Sequence, residues 1–328
     1  MSKAWKITTI ILSSILGAIL IFLSVYYLWP WNKDFFDNAT AEFKIPGLDT
    51  KFTPQGMSKI DGSDKYLISG YMSDGSASRF YVINNGAVEK YFTLSQDETA
   101  YTGHAGGVLS HGGTIWVVGD KNCHRFFLSH VTDVDNGGVV NIVDSFETSN
   151  GADFVFEHDN YLFIGEFYKK DKYETDASHH LKTSSGETNP SLVYGYLINE
   201  SMSYGLDGTM PTKILSIRGE CQGIDVYGDR IVMSCSYSIK DSTMLCYNNV
   251  LNLEKHGTFI LGKSYIDLWY LDANSLVSEK QIPSMSEEIV IDNNRVYILF
   301  ESGAKKYKIF NRKQLDCVYS VDLSYFNK

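Results

Sequence analysis

At 328 residues the chain can hold one large domain or two small ones, and its formal charge of −10 disfavours a phosphate backbone, so nucleic acid is excluded as a partner. Aromatic residues make up 14 %, with 22 Tyr and 18 Phe against only 6 Pro, which favours strands over disorder. No GxSxG, HExxH, Walker A or EF-hand consensus occurs, so no motif names a reaction.

The first element is apolar. No charged residue stands between Ile7 and Pro30, and ITTIILSSILGAILIFLSVYYL is long enough, at about 1.5 Å per residue, to cross a hydrocarbon core of about 30 Å. Trp5 at one end, and Tyr26, Tyr27, Trp29 and Trp31 at the other, sit where aromatic belts form. Lys3 and Lys6 precede the span, so residues 1–6 read as a cytoplasmic tail, 7–29 as a transmembrane helix, and the rest as exported. A cleaved signal peptide would have a shorter apolar core and a small-residue cleavage site, whereas this run ends in YYLWPW. The sequence therefore predicts a single-pass signal anchor.

Residues 30–53 read as a stalk carrying one short strand, AEFKIP, ahead of a domain over 54–328. There a pattern recurs: a short strand, a Gly-, Asp- or Asn-containing turn, an apolar strand, and then an aromatic-rich third strand. The copies are PQGMSKIDGSDKYLISGY with SRFYVIN, HAGGVLSHGGTIWVVGD with HRFFLSHV, GADFVFEHDNYLFIGEF with SLVYGYLIN, CQGIDVYGDRIVMSCSYS with TMLCYNNVL, and SEEIVIDNNRVYILFES with KKYKIFN. EKYFTL, NIVDSF, TKILSI and CVYSVDL read as fourth strands, and the turns HDN and DNN suit the positive φ of tight hairpins. Four-stranded units about 45 to 70 residues apart predict an all-β, five-bladed β-propeller behind the N-terminal helix. A sixth blade would have to lie in 249–284, where YIDLWYLDA reads instead as an outer part of blade four.

The phrases PQGM, GHAGG, CQGI and FESGAKKY resemble those of bacterial secreted or membrane-anchored β-propeller proteins of unassigned function. That resemblance spans most of 54–323. It implies a fold and an exported location, and it carries over no active site.

Propeller geometry brings the start of each first strand and the end of each second strand to one axial face. The first column is Gln55, His104, Asp153, Gln222, and Glu287 with Glu288; the second is Ser69, Asp120, Glu166, Ser236 and Glu301. Converging carboxylates would raise one another's pKa unless a cation intervenes, and calcium held by Asp153, Glu166, Glu288 and Glu301 would answer that need. The alternative is a water-filled polar channel with solvated carboxylates. Tyr71, Tyr101, Phe167, Tyr168 and Tyr237 lie at the same loop ends as candidate sugar platforms. The long loop 167–190 is expected to be mobile, with His179 and His180 as solvated residues. Cys123, Cys221, Cys235, Cys246 and Cys317 form no CxxC, and a pair among the middle three is geometrically allowed, with buried thiols the other reading.

Three functional readings follow. One is a membrane-anchored, extracytoplasmic module binding a ligand, a glycan or an envelope protein at the cell surface. A second is a glycan-directed hydrolase or lyase using axial carboxylates, with or without calcium. A third is a structural component of a membrane complex, with contacts on blade edges and the long loop.

Overall fold

The structure is a computed structural model that describes residues 3–308 and 311–327. Met1 and Ser2 of the expected tail, and Ile309 and Phe310 of the expected strand KKYKIFN, lie outside the described residues. An apolar helix, α1, runs over Lys3–Leu28, and its segment Trp5–Tyr26 is long and apolar enough to cross a membrane. No side chain of that segment is buried by the rest of the chain. Pro30, which lacks an N–H, follows the last turn, where Trp29 N–H still donates to the Val25 carbonyl.

Five blades, each with a four-stranded antiparallel core, follow around one axis, and Val139–Asn141 adds in parallel to the outer strand of blade one. From the axis outward, blade one is Phe52–Lys59, Tyr66–Met72, Arg79–Asn84 and Ala87–Gln96. Blade two is Gly107–His111, Thr114–Gly119, Asn122–Phe127 and Asp144–Glu147. Blade three is Phe154–His158, Tyr161–Gly165, Ser191–Leu197 and Lys213–Ile217. Blade four is Cys221–Tyr227, Arg230–Cys235, Ser242–Asn248 and Leu276–Ile282. Blade five is Ser286–Asp292, Arg295–Phe300, Cys317–Asp322 and Thr40–Lys44. The inner strands touch in the cyclic order one to five and back to one, so the ring is closed. Hairpin turns fall where expected: Asp159–Asn160 and Asn293–Asn294 both take positive φ.

Three expectations about connectivity are corrected. The segment expected to be a stalk is partly inside the propeller, because Thr40–Lys44 pairs with Cys317–Asp322, with Ala41 opposite Tyr319 and Phe43 opposite Val318. A short helix, α2 (Lys33–Asn38), precedes that strand and buries Phe35 against Phe300 and Tyr319, at ring separations of 6.2 and 6.0 Å. The described part of KKYKIFN, residues 305–308, is turn and not the expected third strand, so CVYSVDL is the third strand of blade five, not the fourth. YIDLWYLDA belongs to blade three: Ser264–Tyr270 pairs in parallel with Lys213–Ile217, and Gly257–Leu261 flanks it. The chain leaves blade four after its third strand, adds this hairpin to its neighbour, and returns to complete blade four with Leu276–Ile282.

The buried apolar side chains lie chiefly between blades. Phe80, Phe92, Val117 and Phe126 fill the first interface, Trp116, Leu162, Tyr194 and Tyr196 the second, and Phe154, Phe163, Met233 and Leu245 the third. Around the axis the inner strands approach too closely for side chains on every position. A Cβ at Gly223 would stand 2.7 Å from Glu288 Cα, and one at Gly107 would stand 2.8 Å from the Val155 nitrogen. Glycine is what lets these strands converge.

Candidate ligand-binding site on the propeller axis

One end of the axis opens into a cavity of about 1380 Å³. Its wall includes Gln55, His104, Asp153, Gln222 and Glu287 from the first column and Asp120, Glu166, Ser236 and Glu301 from the second. Strand geometry is the cause: matching positions in each blade reach the same height on the axis. Two residues named from the sequence lie elsewhere. Ser69 is fully buried between blades one and two, where its hydroxyl donates to the Ala105 carbonyl at 3.0 Å. Glu288 lies beneath the cavity floor, because successive side chains alternate and the register shifts between Ser286 and Ile289.

Glu288 is a structural pin across the axis. Its carboxylate accepts from the backbone N–H of Met57 (2.8 Å), Val108 (3.1 Å) and Val155 (3.2 Å), so blade five grips blades one, two and three. Burial pushes its pKa well up, and the three N–H donors oppose that shift. Below it, a second cavity of about 590 Å³ opens toward the other end, lined in part by Lys59, Asp225 and Ile291. There Asp225 accepts from the Ile291 N–H, joining blade four to blade five, and burial pushes its carboxyl up to about 7. Glu288 and the close-packed inner strands thus separate the two cavities. The upper one is a pocket with a floor, not a through-channel.

On the blade-five side of the pocket, Glu287 and Glu301 are adjacent acids whose carboxyls influence each other. Burial and the adjacent Glu301 push the Glu287 carboxyl well above the usual carboxylate range. Burial also raises Glu301, to about 7, against the opposing effects of Lys306, Tyr307, Glu287 and Gln55. Gln55 Nε2 donates to Glu301 Oε2 at 3.1 Å. Lys306 Nζ donates to the Tyr71 hydroxyl at 2.8 Å, and the Tyr71 ring stacks on His104 at 4.7 Å. Asp153, on the opposite wall, accepts from the Phe167 N–H at 2.7 Å, and burial pushes it up to about 6.

Ser236 and Gln222 are distinctive in another way. Both line the pocket from blade four, Ser236 is 3 % exposed, and neither side chain has a hydrogen-bond partner among the described residues. Unpaired polar groups facing a cavity are poised for a ligand or water.

The long loop is more ordered than expected. It contains the 3₁₀ turn Ala177–His179 and a small hairpin, Leu181–Lys182 against Thr188–Asn189. His179 is not a solvated histidine: it is buried, and its Nδ1 lies 2.8 Å from Glu166 Oε1. Glu166 also accepts from the N–H groups of Leu192 (2.8 Å) and Gly151 (3.3 Å). His180 is half-buried, its Nε2 lying 3.0 Å from the Thr175 hydroxyl. Lys172 and Tyr173 from this loop complete the pocket rim.

The expected calcium quartet is not assembled. Glu288 is below the floor, Glu166 is occupied by His179 and two N–H groups, and no group of three or more metal-ligating side chains occurs among the described residues. Of the expected aromatic platforms, Tyr71, Phe167 and Tyr237 line the pocket. Tyr101 and Tyr168 do not; the Tyr101 hydroxyl accepts from the Ala105 N–H, and the Tyr168 ring meets His180. Lys306 and Tyr307 also line the pocket, and their only signal in the sequence is the phrase FESGAKKY following a second strand.

No protein-family model matches the chain, and no curated protein matches it either. Among solved structures it is similar to BamB from Moraxella catarrhalis, at 11 % identity over 86 % of this chain and 97 % of that one, with a TM-score of 0.35. It is similar also to the Dos1 propeller, at 7 % identity over 80 % and 71 % with a TM-score of 0.33. A third is Kuenenia stuttgartiensis hydrazine synthase, at 9 % over 82 % and 74 % with a TM-score of 0.34. The chain is a five-bladed propeller by its own strand order; likeness at this level says nothing of its function.

Proposed function

We propose that this protein is a binding module: a propeller tethered by α1 to the outer face of a membrane, taking a polar ligand into the floored axial pocket. The observation that carries the reading is the pocket itself. It combines a volume suited to a small or oligomeric ligand with unpaired Gln222 and Ser236, the adjacent acids Glu287 and Glu301, and the aromatic faces of Tyr71, Phe167 and Tyr237. A hydroxyl- or amine-bearing molecule, such as a glycan fragment or a peptide segment of an envelope protein, matches that set of acceptors, donors and ring faces. Lys3 and Lys6 before the helix support an N-terminus in the cytoplasm and an exported propeller. Because α2 packs directly onto blade five, the domain would sit close to the membrane surface.

The test is saturable binding by full-length protein in detergent, screened against neutral oligosaccharides, amino sugars and short peptides. Binding that falls at least tenfold in Gln222→Ala and Ser236→Val, with unfolding temperature unchanged, supports the pocket. Binding that survives both substitutions would place the interaction elsewhere on the propeller. Orientation is read separately, by protease accessibility of the propeller in intact cells.

A further inference from the structure

Cys221 and Cys235 stand directly opposite each other on the first two strands of blade four. Ser236 N–H donates to the Glu220 carbonyl, so Glu220 and Ser236 occupy a hydrogen-bonded position of the ladder. The neighbouring Cys221–Cys235 pair therefore occupies a non-hydrogen-bonded position, beside a bulge between Cys221 and Gly223; opposing Cα atoms at such positions of a regular ladder approach to about 4.5 Å. That lies within the Cα separations that a disulfide spans, about 4.4 to 6.8 Å. Both side chains face the same apolar cluster between blades three and four. Cys246 faces the opposite side of blade four, and Cys123 and Cys317 belong to blades two and five. All five cysteines are free thiols in the structure, and among them Cys221 and Cys235 are the pair that stands directly opposed.

We propose that Cys221 and Cys235 are a disulfide-forming pair that closes during folding of the exported chain; this rests on the exported placement proposed above. The oxidant is a protein or small-molecule disulfide. One thiolate attacks it, releasing a thiolate and forming a mixed disulfide; the second cysteine then displaces the remaining thiolate. The two cysteine sulfurs lose two electrons and two protons, and the oxidant becomes two thiols. In the folded blade both thiols are buried at 0 % and 4 % exposure, and burial pushes Cys235 up to about 12, so the exchange proceeds before the blade closes. Each cysteine immediately precedes a pocket residue, Gln222 or Ser236, so the crosslink fixes the blade-four wall of the pocket.

The test uses full-length protein extracted from membranes under alkylating, denaturing conditions and mapped by mass spectrometry before and after reduction. A linked Cys221–Cys235 peptide is expected, with three cysteines alkylated before reduction and five after. Cys246→Ser should keep the linked peptide and Cys235→Ser should abolish it. A second arm unfolds the same protein and refolds it in detergent with glutathione and glutathione disulfide. A linked peptide in the refolded arm alone leaves the pairing standing and overturns the exported placement. Five free thiols in both arms, or a different pairing, overturns the proposal.

Discussion

The Glu288 carboxylate reaches across the propeller axis to the Val155 N–H, 3.2 Å away on a blade that is not its neighbour. With Met57 and Val108 also donating, one side chain satisfies three backbone groups that no ladder pairs. Removing it leaves buried donors unsatisfied, each costing about 1 to 3 kcal/mol. Glu288→Ala is therefore expected to lose about 3 to 5 kcal/mol in urea unfolding. Glu288→Gln should cost about 2 kcal/mol, since an amide NH₂ must then face a backbone donor. A loss below about 1 kcal/mol for the alanine variant would show that Glu288 is not the pin described.

Stability should fall as pH rises from 5 to 8. Asp153 and Glu301 have folded pKa values raised to about 6 and about 7 from ordinary values of 3.8 and 4.5. Across that window the folded protein holds protons that the unfolded chain has released. Their contribution is complete below about pH 4 and is lost as pH passes through 6 to 7. Asp225, raised to about 7, adds to the same trend, so a decline of several kcal/mol is expected, and Glu301→Gln should remove only its own part of it. A wild-type profile that rises over this range would contradict the raised pKa values of these carboxyls.

Much of the blade architecture was legible because it is local. HDN and DNN specify hairpin turns, and Asp159–Asn160 and Asn293–Asn294 adopt them. What escaped was non-local or directional. AEFKIP reads as a strand, but nothing near it says that its partner is Cys317–Asp322, more than 270 residues away. YIDLWYLDA likewise announces a strand without naming its sheet. Glu287 and Glu288 are adjacent acids, and only the register shift between Ser286 and Ile289 decides which one enters the pocket. His179 looked solvated because its loop is polar, yet the loop folds back to deliver it to Glu166.

Calcium is expected to leave the unfolding temperature unchanged. Glu166 and Glu288, two of the four carboxylates that the sequence suggested as ligands, already accept three and three hydrogen-bonding groups respectively. Withdrawing them for a cation would strand those donors. A saturable rise in melting temperature with millimolar calcium, absent with magnesium, would show that the pocket rearranges around the ion.

His179 should control the order of the 167–190 loop rather than the stability of the ring. His179→Ala removes one partner of Glu166 but leaves the Leu192 and Gly151 N–H groups in place. Hydrogen exchange should quicken over residues 172–188, while global unfolding shifts by only about 1 to 2 kcal/mol. Glu166→Ala should cost more, because it orphans those two backbone donors as well. Equal exchange in wild type and His179→Ala would mean that the hairpin and the Ser184 contact to Asp272 hold the loop unaided.

Ring closure by the N-terminal segment makes the most direct prediction about where the soluble domain begins. A chain starting at Ala41 keeps Phe43 in register with Val318 but loses Phe35, which is fully buried against Phe300. Truncating a buried phenylalanine costs about 3 to 5 kcal/mol, so the Ala41 start and full-length Phe35→Ala should be destabilised alike. A start at Trp31 retains α2 and the closing strand and should melt within a few degrees of full length. A start at Ile45 removes Thr40–Lys44 entirely, exposing the Cys317–Asp322 edge to pairing with other chains. That protein is expected to aggregate, and recovery of a monodisperse, cooperatively unfolding species from it would refute the N-terminal closure.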